Sequence, residues 1–333
     1  MIIVRTPYRI SFFGGGTDYP VWYRENNGIV LSTTINKYSF LVVRKLPEIF
    51  DYKYRIRYYE KEEVDCVNQI QIPVIREAIK YMKITDGIDI THHGDLPNRS
   101  GIGSSSSFTV SLLHGLSALC NRQRTKRELA LGAIHLEQNI LNESVGSQDQ
   151  VAASFGGFNR LEFGGQSDFV CHPLPIGKST LDTLESWVQI FFTKELRNSG
   201  DIAGKTISNI KNKTVLLKDM MALTQEAQTM LFANDIKSFA NLLNEEWKIK
   251  KSMEKSITND SIDTAIKIGL DNGAIGAKLL GAGGGGFIMF LTPPELQKQV
   301  SHVLNLKEVP VNFEYLGSQL IYCDYQDREK YYD

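Results

Sequence analysis

The sequence predicts an α+β protein of two domains. Strand-like runs rich in β-branched and aromatic residues open the chain, helical periodicity governs residues 203–257, and the helices are segregated from the strands rather than alternating with them. With 333 residues, the chain is also long enough for two domains of roughly 150 residues each.

Residues 2–5, 10–13, 28–35, 38–43 and 54–59 read as strands. A helix over 73–83 and a strand over 87–92 lead into a glycine-serine loop, and a helix follows it. Phe108, Leu112, Leu113, Leu116 and Leu119 recur at three- and four-residue spacing there, which puts one apolar stripe on the core, and Asn121 ends the run. Thr125-Lys-Arg-Glu128 is a capping box that opens a helix running to Leu141. Strand character returns over 158–163. Between 164 and 178 the composition turns to Gly, Pro, Ser and Asp, and 187–193 reads as a new buried strand, so the domains are expected to be 1–185 and 186–333. The second half is expected to be helical over 203–257 with a break near Ala233-Asn-Asp, its charged stretch 245–255 being a solvated helix face. A helix over 261–271, the turn Asn272-Gly273, a short strand over 277–280, a glycine loop, a strand over 287–291 and a helix started by Pro293-Pro294 follow.

Composition narrows the function classes. A net charge of −1 and a pI near 6.6, with no basic block interleaved with aromatics, give little support to a nucleic-acid surface. Cys66, Cys120, Cys171 and Cys323 lack metal or disulfide spacing and read as buried thiols. No leader pattern and no run of eighteen apolar residues is present, so a cytoplasmic protein acting on small molecules, monomeric or homodimeric, is expected.

Pro97-Asn-Arg-Ser-Gly-Ile-Gly-Ser-Ser-Ser-Ser107 carries the most information. Gly101 and Gly103 permit positive φ and close backbone approach, and Ser104–Ser107 stand where a helix begins and its first N–H groups lack partners, which makes an anion site. It is not a Walker loop, because no lysine follows the glycines. The charge of a nucleoside triphosphate must then be met by backbone dipoles, a metal ion and basic groups from elsewhere. A second glycine loop, Gly281-Ala-Gly-Gly-Gly-Gly286, removes every side chain that would keep a neighbour away.

Glu137 falls among Ala133, Ile134, Ile140 and Leu141 on the capped helix, so a carboxylate points out of an apolar stripe. It needs a cationic side chain, a proton or a hard cation such as Mg²⁺. Asp149 sits likewise among Val145, Gly146, Ala152 and Ala153. Two inward carboxylates near one anion loop suggest a metal and a base. Arg9 to Tyr19 adds a third glycine turn ending in Asp18 and Tyr19, residue types that accept sugar hydroxyls and cover an apolar ring face. His92 and His93 are adjacent on a strand and point to opposite faces, against a shared metal site.

Together these segments resemble the superfamily of galactokinase, homoserine kinase, mevalonate kinase and phosphomevalonate kinase. Its first motif is similar to Arg9–Tyr19, its second to Pro97–Ser107 and its glycine-rich third to Gly276–Gly286. Glu137 and Asp149 have the twelve-residue separation of the galactokinase metal ligand and base. The resemblance implies a first domain of the ribosomal-protein-S5 type joined to a ferredoxin-like second domain, with ATP and Mg²⁺ as cofactors. It implies nucleotide binding by Pro97, Arg99, Ser100, Gly101, Ile102, Gly103, Ser104, Ser105 and Ser106, metal binding by Ser105 and Glu137, and catalysis by Asp149 as base with Arg9. Substrate binding is implied for Gly15, Gly16, Thr17, Asp18, Tyr19, Asp149, Gly283 and Gly284.

Phe12-Phe-Gly-Gly-Gly-Thr-Asp-Tyr19 and Asn142-Glu-Ser-Val-Gly-Ser-Gln-Asp-Gln150 resemble the D-glycero-D-manno-heptose 7-phosphate kinases most. Those phosphorylate an anomeric hydroxyl on the way to nucleotide-activated heptose for surface polysaccharide. Where galactokinases have Gly-Glu-His-Thr-Asp-Tyr, this chain has Gly14 to Tyr19 with Gly15 in place of the glutamate. That removes a negative charge and leaves room for a phosphorylated sugar. Arg99, Lys178, Lys194, Arg197 and Lys205 are candidates for its phosphate. A neutral-sugar kinase of the fucose or galactose type and a non-catalytic sugar sensor are the alternatives.

Overall fold

The computed structural model of the chain describes residues 1–195 and 199–324. Strand β1 (Ile2–Phe13) joins the two runs expected at the N-terminus, and Pro7 does not end it. Its ladder with β2 shifts register between Pro7 and Tyr8, which leaves Asn36 and Lys37 out of the pairing. Proline has no N–H to donate, so the sheet tolerates it at a bulge. The same bulge makes one strand, β2 (Gly28–Lys45), of two expected ones.

Between them stands α1 (Pro20–Asn26), with proline at its first turn. The hairpin β3 (Tyr54–Arg57) and β4 (Lys61–Val64), helix α2 (Pro73–Met82) and β5 (Ile88–Gly94) follow. Next come α3 (Ser104–Leu119), α4 (Lys126–His135) and α5 (Gln148–Phe155), then β6 (Asn159–Phe163) and β7 (Phe169–Pro173). The Thr125 hydroxyl accepts from the Glu128 N–H and the Glu128 carboxylate accepts from the Thr125 N–H, so the capping box forms as expected.

The glycine- and proline-rich stretch 164–178 is not all loop, since β7 lies inside it, and a helix follows it. Leu181, Leu184 and Trp187 recur every three residues and pack on the core, giving α6 (Lys178–Trp187), so the following strand β8 (Val188–Phe192) starts one residue later than expected. The long helical region divides into α7 (Ser199–Ser208), α8 (Thr214–Phe232) and α9 (Ile236–Met253). Asn234 at φ +59° breaks α8 from α9, and Asp235 caps the new helix through the Ser238 N–H. The chain closes with α10 (Asp260–Asp271), β9 (Gly276–Leu279), β10 (Phe287–Leu291), α11 (Pro294–Leu304), β11 (Lys307–Val309), β12 (Phe313–Glu314) and β13 (Gln319–Cys323).

The larger sheet runs β13-β1-β2-β5-β3-β4, with β6 and β12 also on β2 and β7 on β6. The smaller sheet runs β11-β8-β10-β9, all antiparallel. The larger sheet is mixed, through the parallel pair of β3 with β5, and helices are segregated from strands in both halves, as the sequence predicts. Strands β12 and β13 return from the second half to the large sheet. Phe12 and Phe13, at the end of β1, meet the ring of Phe239 on α9 edge-on, so the site-bearing loop after β1 rests on the second half of the chain.

Two expectations change. The stretch 245–255 is not simply a solvated face: Glu245 and Lys248 are exposed, but Glu246 and Lys250 are buried beside Trp247 and Met253. Among the thiols, Cys66 is exposed and the other three are half-buried. His92 lies against Tyr58 and Phe108 while His93 is exposed, so the two do face apart. Among the described residues no helix is long and apolar enough to cross a membrane.

Candidate active site

A cleft of about 490 Å³ brings the three glycine turns together. The loop before α3 reaches it through Arg99, Gly101 and Gly103, all at positive φ. A Cβ on Gly281 would stand 2.3 Å from the Gly101 Cα, and one on Gly101 would stand 2.5 Å from the Leu280 carbonyl oxygen, so the two loops touch backbone to backbone. That contact is the physical reason both need glycine. No side chain caps α3, whose N-terminal Ser104, Ser105 and Ser106 line the cleft, so its first N–H groups are available to an anion. Pro97, Ser100 and Ile102 of the expected nucleotide set do not line it. Ser100 turns its hydroxyl to the Pro97 carbonyl at 2.6 Å, and the Ile102 carbonyl accepts from the Arg9 N–H at 3.0 Å. They shape the loop from behind.

Arg9 and Asp149 form a bidentate pair, Nε to Oδ1 at 2.6 Å and Nη2 to Oδ2 at 2.7 Å. The third guanidinium nitrogen, Nη1, donates to the Gly101 carbonyl at 2.7 Å. Planar fork geometry fixes the carboxylate as a lysine could not. Arg9 is 5% exposed and Asp149 23%, so both line the cleft and the acid is the more open of the two. Glycine suits position 103, where φ is +74° and a Cβ would stand 3.1 Å from the Arg9 Cγ and 3.3 Å from Asp149 Oδ2.

Asp18 stands beside them, 2% exposed and lining the cleft. Its oxygens accept from the Gly16 N–H at 2.9 Å and the Gln148 N–H at 3.2 Å. Burial raises its carboxyl above the usual range, against the lowering effect of those donors. Gly15, Gly16 and Tyr19 line the same wall. Thr17 does not: fully buried, it donates to the Gly14 carbonyl at 2.8 Å and accepts from the Ile29 N–H at 3.1 Å, holding the turn together. Gly283 and Gly284, also in the expected substrate set, do not line the cleft. A Cβ on Gly283 would meet the Ile257 backbone at 2.7 Å, and the Gly284 N–H donates to the Ile257 carbonyl. Gly281 and Ala282 line the cleft instead.

Glu137 is 1% exposed, on a π-helical turn that extends α4 over Leu136–Ile140. Its Oε2 accepts from Ser106 at 2.9 Å and from Gln150, while Oε1 has no partner, and among the described residues no cationic side chain pairs with it. Burial pushes the carboxyl up to about 7. Ser106, rather than the expected Ser105, touches Glu137. Consecutive helical residues point about 100° apart, so the Ser105 side chain turns to the open cleft when Ser106 turns inward. Among the described residues no three His, Cys, Asp or Glu side chains form a cage. Mg²⁺ needs none, because it binds through one or two carboxylates together with phosphate oxygens. The unpartnered Glu137 oxygen beside the phosphate loop fits that requirement.

Three charged residues escaped the sequence reading. Lys278 donates to the Phe12 carbonyl at 2.6 Å and lies 3.7 Å from Glu246, which accepts from the Gly14 N–H at 2.9 Å. Lys250 donates to the Gly281 carbonyl and lines the cleft. Glu246 and Lys250 interrupt the apolar stripe of Leu243, Trp247 and Met253, the same signal that singled out Glu137. Of the candidate phosphate ligands, Arg99 lines the cleft and Lys178 lines a separate shallow depression. Lys194 and Lys205 are exposed and line neither, and Arg197 lies outside the described residues.

Comparison with known proteins gives the family. Residues 72–157 match the description GHMP kinases N terminal domain and residues 220–308 match GHMP kinases C terminal. The chain is 30% identical over 308 residues to a D-glycero-alpha-D-manno-heptose 7-phosphate kinase of Campylobacter jejuni, covering 88% of this chain and 90% of the relative. It is 25% identical over 353 residues to a galactokinase of Pyrococcus furiosus, covering 96% and 97%. A crystal structure of a D-glycero-D-manno-heptose 1-phosphate kinase from Bacteroides thetaiotaomicron shares the fold, with a TM-score of 0.80 at 24% identity over 97% of this chain and 100% of that one.

Proposed function

This chain belongs to the GHMP kinases and is a sugar kinase, and we propose that it transfers a phosphoryl group from ATP to the anomeric C1 hydroxyl of D-glycero-D-manno-heptose 7-phosphate. The product is the 1,7-bisphosphate, a precursor for nucleotide-activated heptose of the GDP type used in surface polysaccharide. The observation that carries the reading is the Arg9–Asp149 fork, held between the phosphate loop and the Asp18 turn.

In this reading the N–H groups of Gly101–Ser106 cradle the nucleotide phosphates, and Asp18 accepts hydrogen bonds from hydroxyls of the sugar. Asp149 accepts the proton of the attacking hydroxyl at a carboxylate oxygen, while Arg9 keeps that carboxylate aimed and offsets charge on the group in flight. Glu137, with Ser105 or Ser106, would hold Mg²⁺, which would supply positive charge against the charge of the nucleotide phosphates.

The phosphorylated substrate is supported by identity to the Campylobacter jejuni relative and by the absence of a side chain at Gly15. A Cβ there would meet nothing nearer than 3.6 Å. Gly15→Glu brings a carboxylate into the sugar wall without backbone strain. It is expected to lower kcat/KM for the heptose phosphate relative to unphosphorylated heptose by about tenfold, through repulsion of the substrate phosphate. An unchanged ratio, measured by coupled assay of ADP release, counts against a phosphosugar at this wall.

A further inference from the structure

The phosphate loop has no lysine of its own, and a buried lysine from the other half of the chain stands where that loop meets the second glycine loop. Lys250 comes from α9 and is 9% exposed. Its Nζ donates to the Gly281 carbonyl at 2.5 Å, and Gly281 is packed on Gly101 of the phosphate loop. It lines the same cleft as Arg9, Asp149 and Ser104–Ser106.

The neighbouring charges have nearer partners than Lys250. Arg9 is forked on Asp149, Lys278 stands on Glu246 and the Phe12 carbonyl, and Asp18 is held by two N–H groups. Among the described residues Lys250 forms no ion pair, and its partners are the Gly281 and, at 3.5 Å, the Leu279 carbonyls. A buried cation that only carbonyls solvate, in the wall of an anion site, is arranged for an anionic guest. Burial, then the charge of Lys278, pushes its ammonium down to about 7, with Arg9 adding to the effect and Glu246 and, more weakly, Asp18 opposing it. An arriving phosphate relieves the same strain.

We propose that Lys250 is a further catalytic residue, which hydrogen-bonds the terminal phosphoryl group of the nucleotide and supplies from α9 the cation that the phosphate loop lacks. In the transfer the sugar oxygen forms its bond to phosphorus, and the bond from phosphorus to the bridging oxygen of ADP breaks with its electron pair left on ADP. The proton of the hydroxyl goes to Asp149. Lys250 neither gains nor loses a proton; it stabilises charge on the non-bridging oxygens. The inference rests on the chain's being a kinase and is independent of which sugar it takes.

Lys250→Met and Lys250→Arg test it, with calorimetric binding of ADP and of the β,γ-imido analogue of ATP in Mg²⁺, together with kcat, KM and melting temperature. Lys250→Met is expected to lose about tenfold in affinity for the triphosphate analogue with ADP affinity retained. Its kcat is expected to fall ~100-fold while its melting temperature holds or rises, because a desolvated charge has been removed. Lys250→Arg recovers part of kcat. Retained triphosphate affinity and kcat overturn the proposal. So does a fall in melting temperature that accounts for the lost activity, which would make Lys250 a strut for Gly281. A rise in KM for the phosphorylated sugar alone overturns it too and assigns Lys250 to the sugar's own phosphate. A wild-type protein that binds neither nucleotide would overturn the kinase assignment and this inference together.

Discussion

Asp149→Asn is expected to lower kcat by about 10³-fold while leaving nucleotide affinity within a few-fold of the unmodified protein. The amide keeps the shape of the carboxylate but has no charge for Arg9 and cannot take the proton of the attacking hydroxyl. Arg9 is 5% exposed and retains its bond to the Gly101 carbonyl, so it stays in place and the loss falls on the chemical step. Steady-state rates with saturating Mg²⁺-ATP give the result directly. A kcat within tenfold of the unmodified value would move the base to another group.

Glu246→Ala is expected to cost about 3–5 kcal/mol of stability, seen as a fall of roughly 10 °C in melting temperature. The carboxylate is fully buried, 3.7 Å from an equally buried Lys278, and accepts from the Gly14 N–H. Removing it leaves a cation and an N–H without partners where water cannot reach. The double variant Glu246→Leu with Lys278→Met removes both charges and is expected to recover most of the loss. Because Lys278 also holds the Phe12 carbonyl, the variants loosen the turn that bears Asp18, and KM for the sugar rises even where the fold survives. A single variant that melts within about 2 °C of the unmodified protein would show that this pair does not hold the two halves together.

The parts of the site visible in the sequence are those whose residue type is constrained by its own neighbours. Gly101 and Gly103 announce positive φ before a helix, and both have it. Glu137 and Asp149 are charges set in apolar stripes. One proves buried with an unpartnered oxygen, and the other is held in a two-point fork. Glu246 and Lys250 carry the same mark, but their stretch also contains Glu245, Lys248 and Lys251, and the surrounding charges hid the stripe beneath.

Other assignments depend on contacts far apart in sequence. Thr17 looks like part of a sugar wall until Gly14 and Ile29 claim its hydroxyl, and Gly283 and Gly284 look like cleft residues until Ile257 packs on them. The choice between Ser105 and Ser106 turns on a helical rotation that neighbouring serines do not reveal. Helix α6 was concealed by the glycine and proline before it, although Leu181, Leu184 and Trp187 already had a spacing fit for one face. The joining of two expected strands at Pro7 required a partner strand able to bulge, which only the pairing with β2 supplies.

ADP release measured with Mg²⁺-ATP across D-glycero-D-manno-heptose 7-phosphate, unphosphorylated heptose, fucose and galactose, with Asp149→Asn as control, tests the substrate most directly. The expected result is turnover confined to the heptose phosphate, with phosphate appearing on C1 and the activity lost in the variant. Turnover with fucose or galactose and none with the heptose phosphate would contradict the substrate assignment and leave a neutral-sugar kinase on the same catalytic frame.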